Sequence, residues 1–189
     1  MPETPPAAEA QPQGLRTFFE FAAGTKPLIV SFVGVLVMVL LVFPALPVSG
    51  ELLDVKLSYS LADVQAAMLQ YGPHGRAIYA LASPTVDTLF PVLYVTFFAG
   101  LLYRFRPSER LWLLAFIPVF AGAWDLCENA QITTLLLQFP DISARQVAMA
   151  SFFTSVKHVL SAVYELTALL LLAIFMTRRL KQIRKPGRD

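Results

Sequence analysis

The chain has 189 residues, 56% of them apolar and 15% charged, with a mean hydropathy of +0.60, which excludes a soluble domain covered by polar groups and points to a membrane solvent. The net charge of +2 is small and the only dense basic run is a short tail after an apolar helix, so no nucleic-acid partner is expected. A single cysteine, Cys127, excludes an intramolecular disulfide.

Residues 1–26 are rich in Pro, Ala, Glu and Gln before turning amphipathic at Leu15, Phe18, Phe19 and Phe21. They read as a disordered leader ending in an interfacial stretch on the cytoplasmic side. Leu28 to Pro47 follows as an apolar run without an ionisable residue, of the roughly 20 residues needed to cross a bilayer. Its length and the poor cleavage site at Ala45 to Gly50 make it a span rather than a signal peptide.

In the loop from Val48 to Gly75, Ser60 and Asp63 form a capping-box-like start for a short amphipathic helix, Leu61 to Tyr71. Leu61, Val64, Met68 and Tyr71 share its apolar face, and Gly72, Pro73 and Gly75 end it. Packing on the bundle rim is the simpler use for this helix, and a lid is the alternative. Three more spans follow, Ala77 to Tyr103, Leu111 to Leu137 and Val147 to Met176, giving an all-α, polytopic four-helix membrane bundle over residues 27–177. Residues 178–189 form a basic tail suited to anionic lipids.

Four spans place both termini on one side. Eleven Lys and Arg lie in the loops of that side, against Lys56, Arg76 and Arg145 on the other; Lys157 completes the fifteen. Because cytoplasmic loops carry the basic excess, both termini are expected inside, in a bacterial inner (plasma) membrane. Membrane lipids are the expected surroundings, and the small chain is compatible with a homodimer.

Ionisable residues within spans are costly and face the interior or a water-filled cavity. There are six: Asp87, Asp125, Glu128, Lys157, His158 and Glu165. At about 1.5 Å per residue, Asp87 lies roughly 24 Å above the cytoplasmic end of its span, Asp125, Glu128 and Asn129 about 21 to 27 Å, and His158 about 27 Å. These residues from three spans therefore share one layer in the outer third of the bilayer, with Glu165 deeper at about 16 Å. Residues three and four apart share a helix face. Asp125, Glu128 and Asn129 form a D-x-x-E-N face flanked by Pro118, Ala121 and Gly122. Ser151, Thr154, Ser155, His158, Ser161 and Glu165 form a polar stripe, while Arg76, Ser83, Asp87 and Tyr94 fall in line with Pro84 and Pro91 between them. Lys157 projects away from the His158 face and is expected to snorkel to the outer headgroups. The serines and threonines read as packing, Cys127 and Met149 as filling, and Trp112 as an interfacial anchor.

The ligand-binding candidates are thus Asp87, Asp125, Glu128, Asn129, His158, Arg76, Tyr94 and Glu165. Three carboxylates cannot be buried together unless protons, a cation or a bound group neutralises them. A small amphipathic or cationic ligand, or a lipid headgroup, fits that demand. The alternative is an enzyme on a lipid-like substrate, with Asp87, Asp125, Glu128 and His158 as acid–base groups or as ligands of a divalent Zn, Mn or Mg ion. His74 and His158 are the only histidines and His74 lies in the outer loop, which excludes a multi-histidine centre. Proton-coupled transport and a purely structural network are the remaining alternatives.

Overall fold

The computed structural model describes residues 13–183, among which there are six α-helices and no strand. Four stretches, Thr25–Val42, Val86–Phe105, Glu109–Gln138 and Ala144–Ile183, are long and apolar enough to cross a membrane. The leader before residue 13, the Leu15 side chain and the tail residues Arg184, Lys185 and Arg188 lie outside the described part.

Helix α1 (Gln13–Ala22) is the amphipathic end of the leader. It buries Phe19 completely among Tyr103, Trp112 and Phe116 and leaves Phe21 exposed. Helix α2 (Thr25–Val37) runs on through a π-helical turn at Met38–Val42. Ile29, Val30, Leu40 and Leu41 on it stay more than half exposed, as lipid-facing residues should. Such π turns recur beside functional sites.

The loop-end segment folds as the capping box predicts: Ser60 accepts from the Asp63 N–H, and Asp63 accepts from the Ser60 N–H and hydroxyl. Those bonds from Ser60 hold the Asp63 carboxyl below the usual carboxylate range, so this cap is intact at neutral pH and is lost only as pH falls through that lowered value. Helix α3 (Leu61–Ala82) is two helical halves: the first ends at Gly72 as expected, at φ 65° and ψ 174°, a left-handed conformation that glycine adopts without penalty, and the second starts at Pro73. Its first half does not stand apart on the surface: Val64, Met68 and Tyr71 are buried against Ile132, Leu135 and Val147.

The second span differs from its sequence expectation. Ser83, Pro84 and Thr85 form a turn between α3 and α4 (Val86–Phe105), so Ala77 to Ala82 belongs to α3. Ser83 is still helical, at φ −58° and ψ −51°, and the break comes after it: Pro84 has no N–H to continue the ladder, and Thr85 leaves helical geometry at φ −113° and ψ −82°. Pro91, inside α4, has no N–H for the Asp87 carbonyl four residues back.

A 3₁₀ turn (Glu109–Ala115) leads into α5 (Phe116–Gln138), where Pro118 sits in the first turn, whose N–H groups need no helical acceptor. Helix α6 (Ala144–Ile183) starts with a second capping box, Ser143 with Gln146, and contains neither Gly nor Pro, so nothing interrupts its 40 residues. Its last turns carry Arg178, Arg179 and Lys181, the described part of the basic tail.

Between membrane helices the hydrophobic drive is weak and close backbone approach matters. Helix α4 packs on α1, α2, α5 and α6, and at Gly100 it meets the Ala22 carbonyl so closely that a Cβ would strike backbone. Gly100→Ala is therefore expected to lower stability in detergent by about 1–3 kcal/mol through overpacking. Gly14→Ala, with open space around it, should be neutral or mildly stabilising. Thermal unfolding of the two variants checks the contrast, and a silent Gly100→Ala would disprove the close-approach account.

Candidate functional site

Three polar faces meet near the loop end of the bundle. On α4, Asp87, Phe90 and Tyr94 share one side at spacings of three and four. On α5, Asp125, Glu128 and Asn129 are buried together, and on α6 Thr154, Lys157, His158 and Ser161 face them. The Pro84 break starts α4 with exposed Thr85 and puts the buried Asp87 in its first turn, where free N–H groups favour an anion.

The centre of the site is Lys157, which does not snorkel away. Its Nζ lies 2.6 Å from Glu128 Oε2 and 3.8 Å from Asp125 Oδ1. It also donates to the Asp54 carbonyl at 3.1 Å. The physical reason is reach: a four-carbon stem carries the ammonium back across the helix face, and two buried carboxylates attract it more strongly than a wet headgroup layer. Thr154 donates to Glu128 Oε1 at 2.7 Å and shares a contact of 3.2 Å with the Tyr59 hydroxyl. Tyr94 donates to Asp125 Oδ2 at 3.1 Å.

Asp54, which sequence reasoning passed over, belongs to this cluster. It sits in a 3₁₀ turn (Leu53–Val55) of the loop after α2 and accepts from the Tyr79 hydroxyl at 2.8 Å. No helical periodicity marks a loop carboxylate, and its only sequence signal was a buried-type neighbour, Leu53. The same loop is tied down along α6. Tyr59 N–H donates to Ser151 Oγ at 2.9 Å, and Ser155 donates to the Leu57 carbonyl at 2.8 Å. Burial pushes the Tyr59 phenol up to about 12, which keeps its hydroxyl protonated at neutral pH. The cover over the site is thus this loop, and the Leu61–Tyr71 helix packs behind it on the rim.

A cavity of about 420 Å³ opens beneath the loop. Asp54, Asp87, Asp125, Lys157, His158 and Glu165 supply its polar lining, and Phe43, Phe90, Tyr94 and Tyr164 its aromatic walls. Its exposed lining residues, Val39 of the π turn, Val55 and Glu165, put the mouth between the end of α2 and α6. Asp87 is 8% exposed, and among the described residues it makes no hydrogen bond or ion pair. His158 also faces the cavity with its buried Nε2 unpartnered.

Two candidates fall elsewhere. Arg76 is not in the cluster: it donates to the Met68 carbonyl at 2.7 Å across the α3 kink and stacks on Phe139. The sequence reading had placed it roughly in line with Asp87 on one kinked helix, and the turn at Pro84 removes that alignment. Asn129 is buried behind the cavity, where its carbonyl accepts from Ser83 and its side-chain amide is unpartnered. Among the described residues, no three His, Cys, Asp or Glu side chains assemble as a metal-ligand set, so Asp87, Asp125, Glu128 and His158 do not converge on one point. Between Asp125 and Glu128 the Lys157 ammonium takes the position that a cation would occupy.

No family model matches the chain, and neither a curated protein nor a solved structure is significantly similar to it. Fold and site together define a class: an all-α bundle with four helices able to cross a membrane and an acid-rich, aromatic-walled cavity between them.

Removing one partner of a buried pair leaves an uncompensated charge. Lys157→Met is therefore expected to cost about 3–5 kcal/mol, and adding Glu128→Gln to the same chain should recover a substantial part. Chaotrope unfolding in detergent measures both. A loss below about 1 kcal/mol, the level of an exposed pair, would contradict the buried bridge.

Proposed function

We propose that this protein is an integral membrane protein that binds a small amphipathic cation in a cavity in the outer third of a bacterial inner membrane, with both termini in the cytoplasm. The eleven-to-three distribution of basic residues supports the orientation. The single observation that carries the binding reading is Asp87, a buried carboxylate that lines the cavity without a protein partner.

Charge balance argues the same way. Asp54, Asp87, Asp125 and Glu128 are four carboxylates served by one ammonium, Lys157. Burying the remainder costs several kcal/mol unless protons or a cation come with them. A cationic headgroup supplies that charge, and a mouth between α2 and α6 lets its apolar tail extend into lipid. The volume of about 420 Å³ lies within the range of small-molecule sites.

Dodecylamine and dodecanol, titrated into the protein in dodecylmaltoside micelles with protein-free micelles as the blank, test the reading. The amine is expected to bind and the alcohol to bind far more weakly. Asp87→Asn should weaken amine binding about 10- to 100-fold, the worth of one hydrogen bond to a charged group. Equal binding of amine and alcohol, or an unaffected Asp87→Asn variant, would overturn it.

A second reading rests on His158, whose unpartnered Nε2 shares the cavity with Asp87. A base and an acid across one cavity suit proton transfer on a bound lipid-like molecule. In that case the host's lipid profile changes with His158→Ala while dodecylamine binding survives.

A further inference from the structure

The aromatic walls specify the cation further. Four rings line the cavity together with Asp87: Phe43 beyond the π turn, Phe90 and Tyr94 on α4, and Tyr164 on α6. They form a connected series in differing planes. Phe43 meets Phe90 at 5.3 Å and 81°, Phe90 meets Tyr94 at 5.3 Å and 65°, and Tyr94 stacks on Tyr164 at 5.8 Å and 15°. The Tyr94 hydroxyl is fixed on Asp125, which locks that ring in place.

Asp54 Oδ1 accepts from Tyr79 and Asp125 is held by Tyr94 and Lys157, while Glu128, outside the lining, is held by Lys157 and Thr154. Glu165 stands at the exposed mouth. Among the described residues the Asp87 carboxylate inside makes no hydrogen bond or ion pair and His158 Nε2 is unpartnered, beside the hydroxyls of Ser161 and Tyr164. A primary ammonium brings three N–H donors and a tightly held hydration shell, which a wall of four aromatic rings cannot replace. A protonated tertiary amine needs one acceptor, is weakly hydrated, and turns its N-methyl groups to ring faces that attract positive charge.

Resting on the cation-binding reading above, we propose that the cavity is selective for N-methylated tertiary ammonium amphiphiles: Asp87 accepts the single N–H, and Phe43, Phe90, Tyr94 and Tyr164 enclose the methyl groups. The apolar chain leaves through the gap beside Val39 and Val55, both about half exposed.

Dodecylamine, N,N-dimethyldodecylamine and dodecyltrimethylammonium, titrated at neutral pH into the protein in dodecylmaltoside, separate the outcomes. The dimethylamine is expected to bind about 10-fold more tightly than the primary amine, the worth of a desolvated cation–π contact of roughly the size known. The trimethyl compound, without an N–H for Asp87, should fall below the dimethylamine. Phe90→Leu keeps the apolar volume and removes a ring, so it should reduce the dimethyl preference to within about 3-fold while the primary amine still binds. That retained binding reports a folded site. Phe43→Leu serves in its place if the first variant does not fold. Equal affinity for the primary and dimethyl amines, or an undiminished preference in the leucine variant, would overturn the selectivity. Were both amines to bind through Asp87 without preference, only this inference would fail; were neither to bind better than dodecanol, the cation-binding reading would fail with it.

Discussion

The rest of the site depends on one buried ammonium. Lys157 joins α6 to α5 through Glu128 and Asp125 and joins both to the loop after α2 through the Asp54 carbonyl. Glu128 is fully buried and sits where water cannot screen its charge. Without a positive partner the acidic face of α5 could not close against α6, because the desolvation of carboxylates exceeds anything that helix packing in lipid returns. The hydroxyls of Thr154 and Tyr59 extend the same bridge outward to the loop.

Two different kinds of packing surround that bridge. At the loop end, Leu53, Val64, Met68, Ile132, Leu135 and Val147 form a core of the kind found in soluble proteins, with large side chains fully buried. Burial of each contributes about 1.5–3 kcal/mol where water is the alternative. Along the apolar helices contact relies instead on small residues and ring-to-ring packing, as at Gly100 and around Phe19. The cavity lies where these two regimes meet, and the break at Pro84 makes it: α3 packs into the loop-end core while α4 runs through the apolar helices, leaving Asp87 at the joint.

Much of this was legible in the sequence. Apolar runs located the four long helices; of the residues that counting from the helix ends put in one layer, Asp87, Asp125 and His158 line one cavity and Glu128 meets Lys157 outside that lining. Of the two positional errors, one underestimates a break, since a kink was expected at Pro84 and the chain makes a full turn there, and the other underestimates side-chain reach. Arg76 was aligned with Asp87 across a turn that the Pro84 dipeptide signals. Lys157 was assigned to the outside by its Cα direction, though Thr154 and Lys157 are spaced three apart and match Asp125 and Glu128 on the facing helix. Asp54 had no such pattern. Its place is fixed by how the loop folds back onto Tyr79 and Lys157, a tertiary fact with no period to read.

Helix α6 is unbroken for 40 residues, about 60 Å, which is twice the thickness of a bilayer's hydrocarbon core. Lys157 sits about a third of the way along this rod, so about 39 Å of helix lies between the bridge and Ile183. Such a geometry is a lever: a tilt of about 5° at the bridge carries the far tip, with its Arg178, Arg179 and Lys181 charges, through roughly 3 Å. Neither Gly nor Pro lies between the bridge and that charged tip to absorb such a tilt.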